Sequence, residues 1–447
     1  MGPEASLDFT ASWLAVSGVL CAVALFGPDS WFQRVPSRPA YRVGGVFAVA
    51  LLVRFVAAAA LQLPDDAAIR FDMDSYRIVG DLVRSGEDVY SQPERYPYLP
   101  FQMYWSALAG WLGDEGIVPF LLAAKVPQLL ADAGIACLVG LWPGWDGTRQ
   151  LRGGLVYALN PMTPITAAIH GQFDAVPTFS LVLSVFILLR RPAGDGRALL
   201  AGVALGLAVV SKTWPVFTLP LLLWHAGTWR DRALFLLGSS FPVIDSLTVY
   251  WAVFGESPYH VFDTIKGYSG VPDAWGYRLA LNHLGNADVP GAYWLRDRLH
   301  EIDTALLAGT VVVATLLVLR RPLETGMAVV ILAFYAAAHG WGFHYLVWAA
   351  PFVLVGMPRY ATAAYLGVGA VTLWAVFYGY GGVGRQLYEW FDVESAVIRY
   401  RWAVGLPMWV LVMVLALAGI AAPWAAGREW AHLRSRRDVA GEGAPGG

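Results

Sequence analysis

The sequence predicts an all-α, polytopic membrane protein. Of its 447 residues 57% are hydrophobic and 14% charged, with a mean hydropathy of +0.52. A soluble fold of that length could not solvate so much apolar surface. The apolar residues run continuously over the roughly 20 positions that cross a bilayer as a helix, not in the alternation of a barrel strand. Lys and Arg gather in alternate short connections, as an orientation with basic loops inside requires.

Taken in order, apolar spans are predicted over 11–27, 43–62, 117–141, 153–169, 174–190, 198–211, 213–226, 233–253, 304–320, 325–338, 343–357, 360–380 and 401–422. That makes about thirteen spans. The first follows Glu4 and Asp8 rather than a basic segment, so it reads as a retained helix and not a cleaved signal. Cys21 and Cys137 fall inside apolar runs and read as packing residues, with neither a disulfide framework nor a metal-ligand set around them. Arg34, Arg38 and Arg42 mark one cytoplasmic loop. Arg149 with Arg152, Arg190 with Arg191 and Arg197, Arg230 with Arg232, Arg320 with Arg321, and Arg359 mark the others, and the tail REWAHLRSRR completes the series. The outer segments are then 63–116, 170–173, the vicinity of 212, 254–303, 339–342 and 381–400. This parity requires YLPFQMYWSALAGWL (98–112) to lie along the interface rather than cross.

The organisation that results is an extra N-terminal helix and basic loop over 1–42, a membrane domain over 43–425 and a basic, disordered cytoplasmic tail over 426–447. The membrane domain includes the first outer loop (63–116) and a large one (254–303). The formal charge of −2, without a basic stripe, gives no reason to expect nucleic acid as a partner. No internal repeat is evident.

The unusual polar residues gather at the outer side. Asp72, Asp74, His170, Gln172, Asp174, Lys212, His339 and His344 all lie there or within about a turn of it. A carboxylate such as Asp72 could act as a general base toward a hydroxyl. With Asp74 it could instead chelate a cation, or both could be helix caps or solvated loop residues. Gly171 permits a tight reversal in HGQFD, where Asp174 can be an N-cap, part of a site wall, or both. Lys212, between apolar spans, needs a partner such as a lipid phosphate, or must snorkel. Trp341, Tyr345 and Trp348 are explained by an aromatic belt alone. Arg54 and Asp132 lie deeper, and are expected to pair with each other or with Asp245 as a structural ion pair.

The order FDMDSY, GEDVY, RYPYLPFQMY, KVPQLLAD, NPMTPI…HGQFDAVP, SKTWPVFTLPLLL and FHYLVWAAPF resembles the GT-C superfamily of membrane glycosyltransferases over roughly residues 43–357. More narrowly it looks like the bacterial polyprenyl-phosphate-mannose-dependent mannosyltransferases and their GPI-anchor and dolichyl-phosphate-sugar relatives. The resemblance implies a GT-C fold with short interfacial helices in the first outer loop. It also implies inverting transfer from a polyprenyl-phosphate sugar, most simply mannose, to a glycolipid or polysaccharide hydroxyl at the extracytoplasmic face of the bacterial plasma membrane, with the C-terminus cytoplasmic.

Asp72 matches the base, through its spacing to Tyr76. Asp74, Tyr76, Tyr96, His170, Gln172 and Asp174 become expected substrate contacts. Lys212 and His344, with His339 and Arg278, are expected near the donor phosphate. No cofactor is expected, and a cation at Asp72 and Asp74 is not required by a lipid-phosphate leaving group. Two departures are visible. The family's Tyr-Pro-Pro reads Tyr96-Pro97-Tyr98 here, and the span 11–27 is additional. The alternatives are a transporter or flippase of lipid-linked sugars, which would place polar groups at the bilayer midplane and show repeats, and a non-catalytic scaffold of an envelope-assembly complex.

Overall fold

Helices follow one another along almost the whole chain in the computed structural model, which describes residues 3–34, 38–60, 67–91, 96–190, 195–268, 275–338, 340, 342–379 and 393–421. In order they are α1 (Pro3–Phe26), α2 (Asp29–Gln33), α3 (Pro39–Ala60), α4 (Ala67–Ser85), α5 (Gln102–Asp114), α6 (Phe120–Val139) and α7 (Gly147–Leu159). The short α8 (Met162–Pro164) runs into a π-turn (Ile165–His170), followed by α9 (Ala175–Leu189) and α10 (Asp195–Ser211). After a 3₁₀ turn (Trp214–Thr218) come α11 (Leu219–His225), α12 (Trp229–Phe254), α13 (Pro258–Gly267), α14 (Gly276–Asn286), α15 (Ala292–His300), α16 (Asp303–Val318) and α17 (Leu323–Ala337). A second 3₁₀ turn (Phe343–Trp348) leads to α18 (Ala350–Gly356), α19 (Arg359–Gly379) and α20 (Val393–Ala421). No strand occurs among the described residues. His339, Trp341, the segment 380–392 and the tail 426–447 lie outside them.

Four helices are long and apolar enough to cross a membrane: α3, α6, α12 and the 404–421 part of α20. The α15–α16 pair, bent by 75°, makes a fifth if it is one broken span. Others stop short: α9 and α17 have 15 residues and α10 has 17, about 22–26 Å at 1.5 Å per residue against a hydrocarbon layer of about 30 Å. One apolar run that reads as a single span is interrupted by a polar side chain that takes over backbone hydrogen bonds. The run 153–169 breaks at Asn160, whose Oδ1 accepts from the N–H groups of Met162 (3.1 Å) and Thr163 (3.0 Å) and restarts the helix after Pro161. In the segment 63–116, the stretch expected to lie along the interface forms α5, only 13 residues long.

Close packing of small residues joins the bundle. A Cβ at Gly202 would strike the Phe235 carbonyl, and one at Gly238 the Leu199 carbonyl, so α10 and α12 touch backbone to backbone. Helices α4 and α5 are tied at their exposed ends by Asp114, which accepts from Arg77 (2.5 Å) and Arg84 (2.5 Å). Asp81 is the half-exposed second acid of that tie.

The expected deep ion pair is present. Arg54 Nε donates to Asp132 Oδ2 at 2.6 Å, with both side chains buried. Its remaining donors reach Ala50 O (3.1 Å), Ala158 O (2.9 Å) and Thr163 Oγ1 (2.9 Å), while Tyr157 donates to Asp132 Oδ1 (2.7 Å). A buried charge pair holds only when such additional bonds satisfy it. Asp245 is exposed and takes no part. Cys21 and Cys137 are free thiols packed among helices.

Candidate functional site

Helix α4 presents Met73, Tyr76, Val79 and Leu82 to the interior at helical spacing, which leaves Asp72 at the edge of the buried face with 29% of its side chain exposed. Asp74, two residues on, is turned about 200° round the helix axis and is exposed. Residues at i and i+2 do not face each other on a helix, so the alternative of a chelating Asp72–Asp74 pair does not form.

The HGQFD reversal meets Asp72 from the other side. Gly171 has a φ of 84°, and a Cβ there would lie 2.6 Å from Met73 Sδ and 2.9 Å from Lys125 Cε. Only glycine therefore lets the reversal close against α4. Two residues of α6 hold it: Lys125 Nζ donates to Ile169 O (3.0 Å), and Gln128 Nε2 to Gly171 O (2.8 Å). So held, His170 Nε2 stands 3.1 Å from Asp72 Oδ2, and Tyr76 OH donates to Gln172 Oε1 at 2.8 Å.

Asp174 has no exposed surface and makes no side-chain cap for α9, so the N-cap reading is overturned. Its Oδ1 accepts from Lys212 Nζ (2.7 Å) and Trp348 Nε1 (2.5 Å). Its Oδ2 has no hydrogen bond and stands 3.7 Å from His344 Nε2. The rings of His344 and His170 are 6.0 Å apart, which links the Asp72 and Asp174 halves of the cluster. Lys212 does not snorkel to the surface. It is buried, pairs with Asp174 and lies 4.7–5.5 Å from the ring centroids of Tyr98, Phe173, Tyr345 and Trp348. Such rings attract a cation through their quadrupole.

Burial pushes the Asp72 carboxyl upward. The hydrogen bond and charge of His170, the charge of His344 and a hydrogen bond from Gln172 outweigh that and hold it well below the usual carboxylate range. It is an ionised acceptor with part of its side chain exposed.

Beside the cluster lies a cavity of about 200 Å³, walled by Tyr98, Lys212, Trp214, Tyr268, Tyr345 and Trp348, with Leu307 and Phe334 on its apolar side. The indoles of Trp214 and Trp348 stack at 4.3 Å, with 4° between their planes. Asp174 uses one of the three Lys212 donors, and the same ammonium group forms part of the cavity wall.

The structure thus gathers Asp72, Tyr76, His170, Gln172, Asp174, Lys212 and His344. Asp74 faces away. Tyr96 is buried as a local brace, donating to Leu99 O (3.0 Å) and accepting from Met103 N–H (3.0 Å), not as a substrate contact. Asp174 is buried and commits Oδ1 to Lys212 and Trp348, with Oδ2 turned toward His344. Arg278 belongs to a different cluster, where it and His300 hold Asp303 at 2.9 and 2.8 Å. His339 lies outside the described residues. Reasoning from sequence passed over Lys125, Gln128, Trp214 and Trp348. The first two had a signal: with Asp132 they stand at i, i+3 and i+7 of an apolar helix, a polar stripe on one face.

Fold and site together define an all-helical chain, with helices able to cross a membrane and one enclosed polar cluster between an exposed carboxylate and an aromatic cavity. No family model, curated protein or solved structure matches it.

Proposed function

We propose that the protein is an inverting membrane glycosyltransferase of the GT-C type, using a polyprenyl-phosphate sugar as donor. The observation that carries this reading is the continuity of Asp72, His170, His344, Asp174 and Lys212. An ionised, partly exposed carboxylate stands at one end, and a lysine in the wall of a cavity of about 200 Å³ at the other. In the proposed reaction an acceptor hydroxyl oxygen attacks the anomeric carbon. Its proton passes to Asp72, and the bond from carbon to phosphate oxygen breaks with its electron pair. The lipid phosphate leaves carrying added charge, which the two remaining Lys212 donors and His344 offset. His170 and Gln172 hold Asp72 ionised, and Tyr76 fixes the Gln172 amide. The apolar cavity wall receives the first isoprene units.

The larger number of spans, about thirteen, belongs to this reading, with shorter helices crossing as pairs and broken spans. So do the extracytoplasmic position of the cluster and the cytoplasmic C-terminus. A mannosyl donor and a glycolipid or polysaccharide acceptor are the first to test, because the motif order is most similar to mannosyltransferases.

The test is sugar transfer in membranes from polyprenyl-phosphate mannose, with a panel of other polyprenyl-phosphate sugars. Asp72→Asn keeps the shape and removes the base. A general base contributes about 10²–10⁴-fold, and a loss of that size is expected in a variant that still folds, its thermal midpoint lowered only by the lost pairing of Asp72 with His170. Full activity in Asp72→Asn removes Asp72 from the base role. Absence of transfer from every donor in the folded wild type removes the transferase reading.

A further inference from the structure

A second group of ligating side chains lies away from the cluster, between the first outer segment and the end of α12. Asp88, Glu256 and His260 each bring one ligand atom within 4.8 Å of the others. His260 Nδ1 is 3.6 Å from Asp88 Oδ2 and 3.7 Å from Glu256 Oε2. Two ligands on one ion with bonds of about 2.0–2.2 Å stand about 3–4 Å apart, so the two measured spacings already suit a shared cation.

Asp88 is oriented from behind. Its Oδ1 accepts from Tyr250 OH (2.7 Å) and from the Tyr90 N–H (3.0 Å), which leaves Oδ2 toward His260. Glu256 and His260 stand at i and i+4 across the start of α13 and approach from the opposite side. The charge is unmatched. Two carboxylates face one imidazole, so an excess negative charge remains even if the ring is protonated. Among the described residues no Lys or Arg comes within ion-pair distance of either acid.

We propose that Asp88, Glu256 and His260 bind a divalent transition-metal cation, Zn²⁺ or Mn²⁺, that clips α13 onto the turn at Val89–Ser91. One imidazole and two carboxylates suit these ions better than the all-oxygen shells of Ca²⁺ or Mg²⁺. The clip has a structural purpose. Helix α13 carries Ile265 and leads to Tyr268, while the Asp88 turn leads to Pro97 and Tyr98, and all four line the aromatic cavity. The ion fixes two walls of that cavity against each other, whatever ligand the cavity takes.

The experiment uses the full chain in detergent, stripped with EDTA and titrated with Zn²⁺ by calorimetry and with Mn²⁺ by electron paramagnetic resonance. Glu256→Gln and His260→Gln change exposed side chains. Asp88→Asn keeps an oxygen for Tyr250. One ion per chain is expected, at least tenfold weaker in each variant, with a thermal midpoint raised by the ion in wild type alone. No saturable binding, or unchanged affinity in His260→Gln and Glu256→Gln, overturns the proposal. Mg²⁺ or Ca²⁺ binding as tightly as Zn²⁺ also overturns the ligand assignment.

Discussion

Replacing Gly171 by Ala tests whether the HGQFD reversal is built the way its contacts indicate. The added Cβ would meet Met73 Sδ at 2.6 Å and Lys125 Cε at 2.9 Å, in a backbone with φ of 84°. The left-handed conformation alone costs a non-glycine residue about 1–2 kcal/mol. Neither neighbour is at a free surface, since Met73 and Lys125 are both buried, so crowding adds about 1–3 kcal/mol. Movement of Lys125 also endangers its bond to Ile169 O, and a bond from a charged donor is worth about 1.5–3 kcal/mol. Part of this overlaps, and a total of about 2–5 kcal/mol is expected. Gly86→Ala is the matched control, because its φ is 74° but a Cβ there meets nothing within 4 Å. It should cost the backbone share alone, about 1–2 kcal/mol. Thermal unfolding of the detergent-solubilised protein reads the comparison, with a midpoint depressed at least twice as far in Gly171→Ala. Equal shifts would refute the claim that the reversal is wedged between α4 and α6.

His170→Gln should raise the Asp72 carboxyl toward the ordinary range, because burial then acts with less opposition. With His170 present, the stability that Asp72 contributes is complete above about pH 3.9 and is lost as pH falls through its lower folded value. Accordingly the acid limit of the proposed sugar transfer should move to higher pH in the variant, and an unmoved pH–rate profile refutes the pairing. Removing one member of the buried Lys212–Asp174 pair, by Lys212→Met or by Asp174→Leu, should cost about 3–5 kcal/mol, while the double variant recovers much of it. A double-variant cycle on unfolding midpoints measures this, and additive losses would deny the coupling. Asn160→Ala should lose about 1–2 kcal/mol by freeing the N–H groups of Met162 and Thr163, read by the same melting assay; a change within 0.5 kcal/mol, about the usual surface-substitution scatter, would show that the restart of the helix does not depend on it.

The sequence discloses those features whose cost is local. Arg54 and Asp132 are each expensive in an apolar run, so their pairing could be read before the structure showed it. Gly171 between two apolar runs signalled a reversal, and the outer polar residues signalled one site. Partnership across long separations was less legible. A carboxylate before a helix reads as a cap, and nothing near Asp174 announces that Lys212 and Trp348 will claim it. Asp72 and Asp74 look like a pair in linear order, but the helical period turns them apart. Arg278 looked free because Asp303 lies 25 residues beyond it. Hydropathy also misses helix ends set by buried hydrogen bonds, as at Asn160, which is why the lengths of individual spans could not be taken from apolar runs alone.

The bonds of Asp174 have a consequence for how the protein is made. Its carboxylate is synthesised 38 residues before Lys212 and 174 residues before Trp348. Through that interval a nascent chain carries an acid at the head of α9 without the full set of donors that satisfies it in the finished bundle. Helix α9 therefore cannot settle to its final depth until the second half of the chain arrives. A released chain truncated before residue 340 should accordingly leave the 170–174 region open to proteases or labels, while one extended past residue 357 should close it.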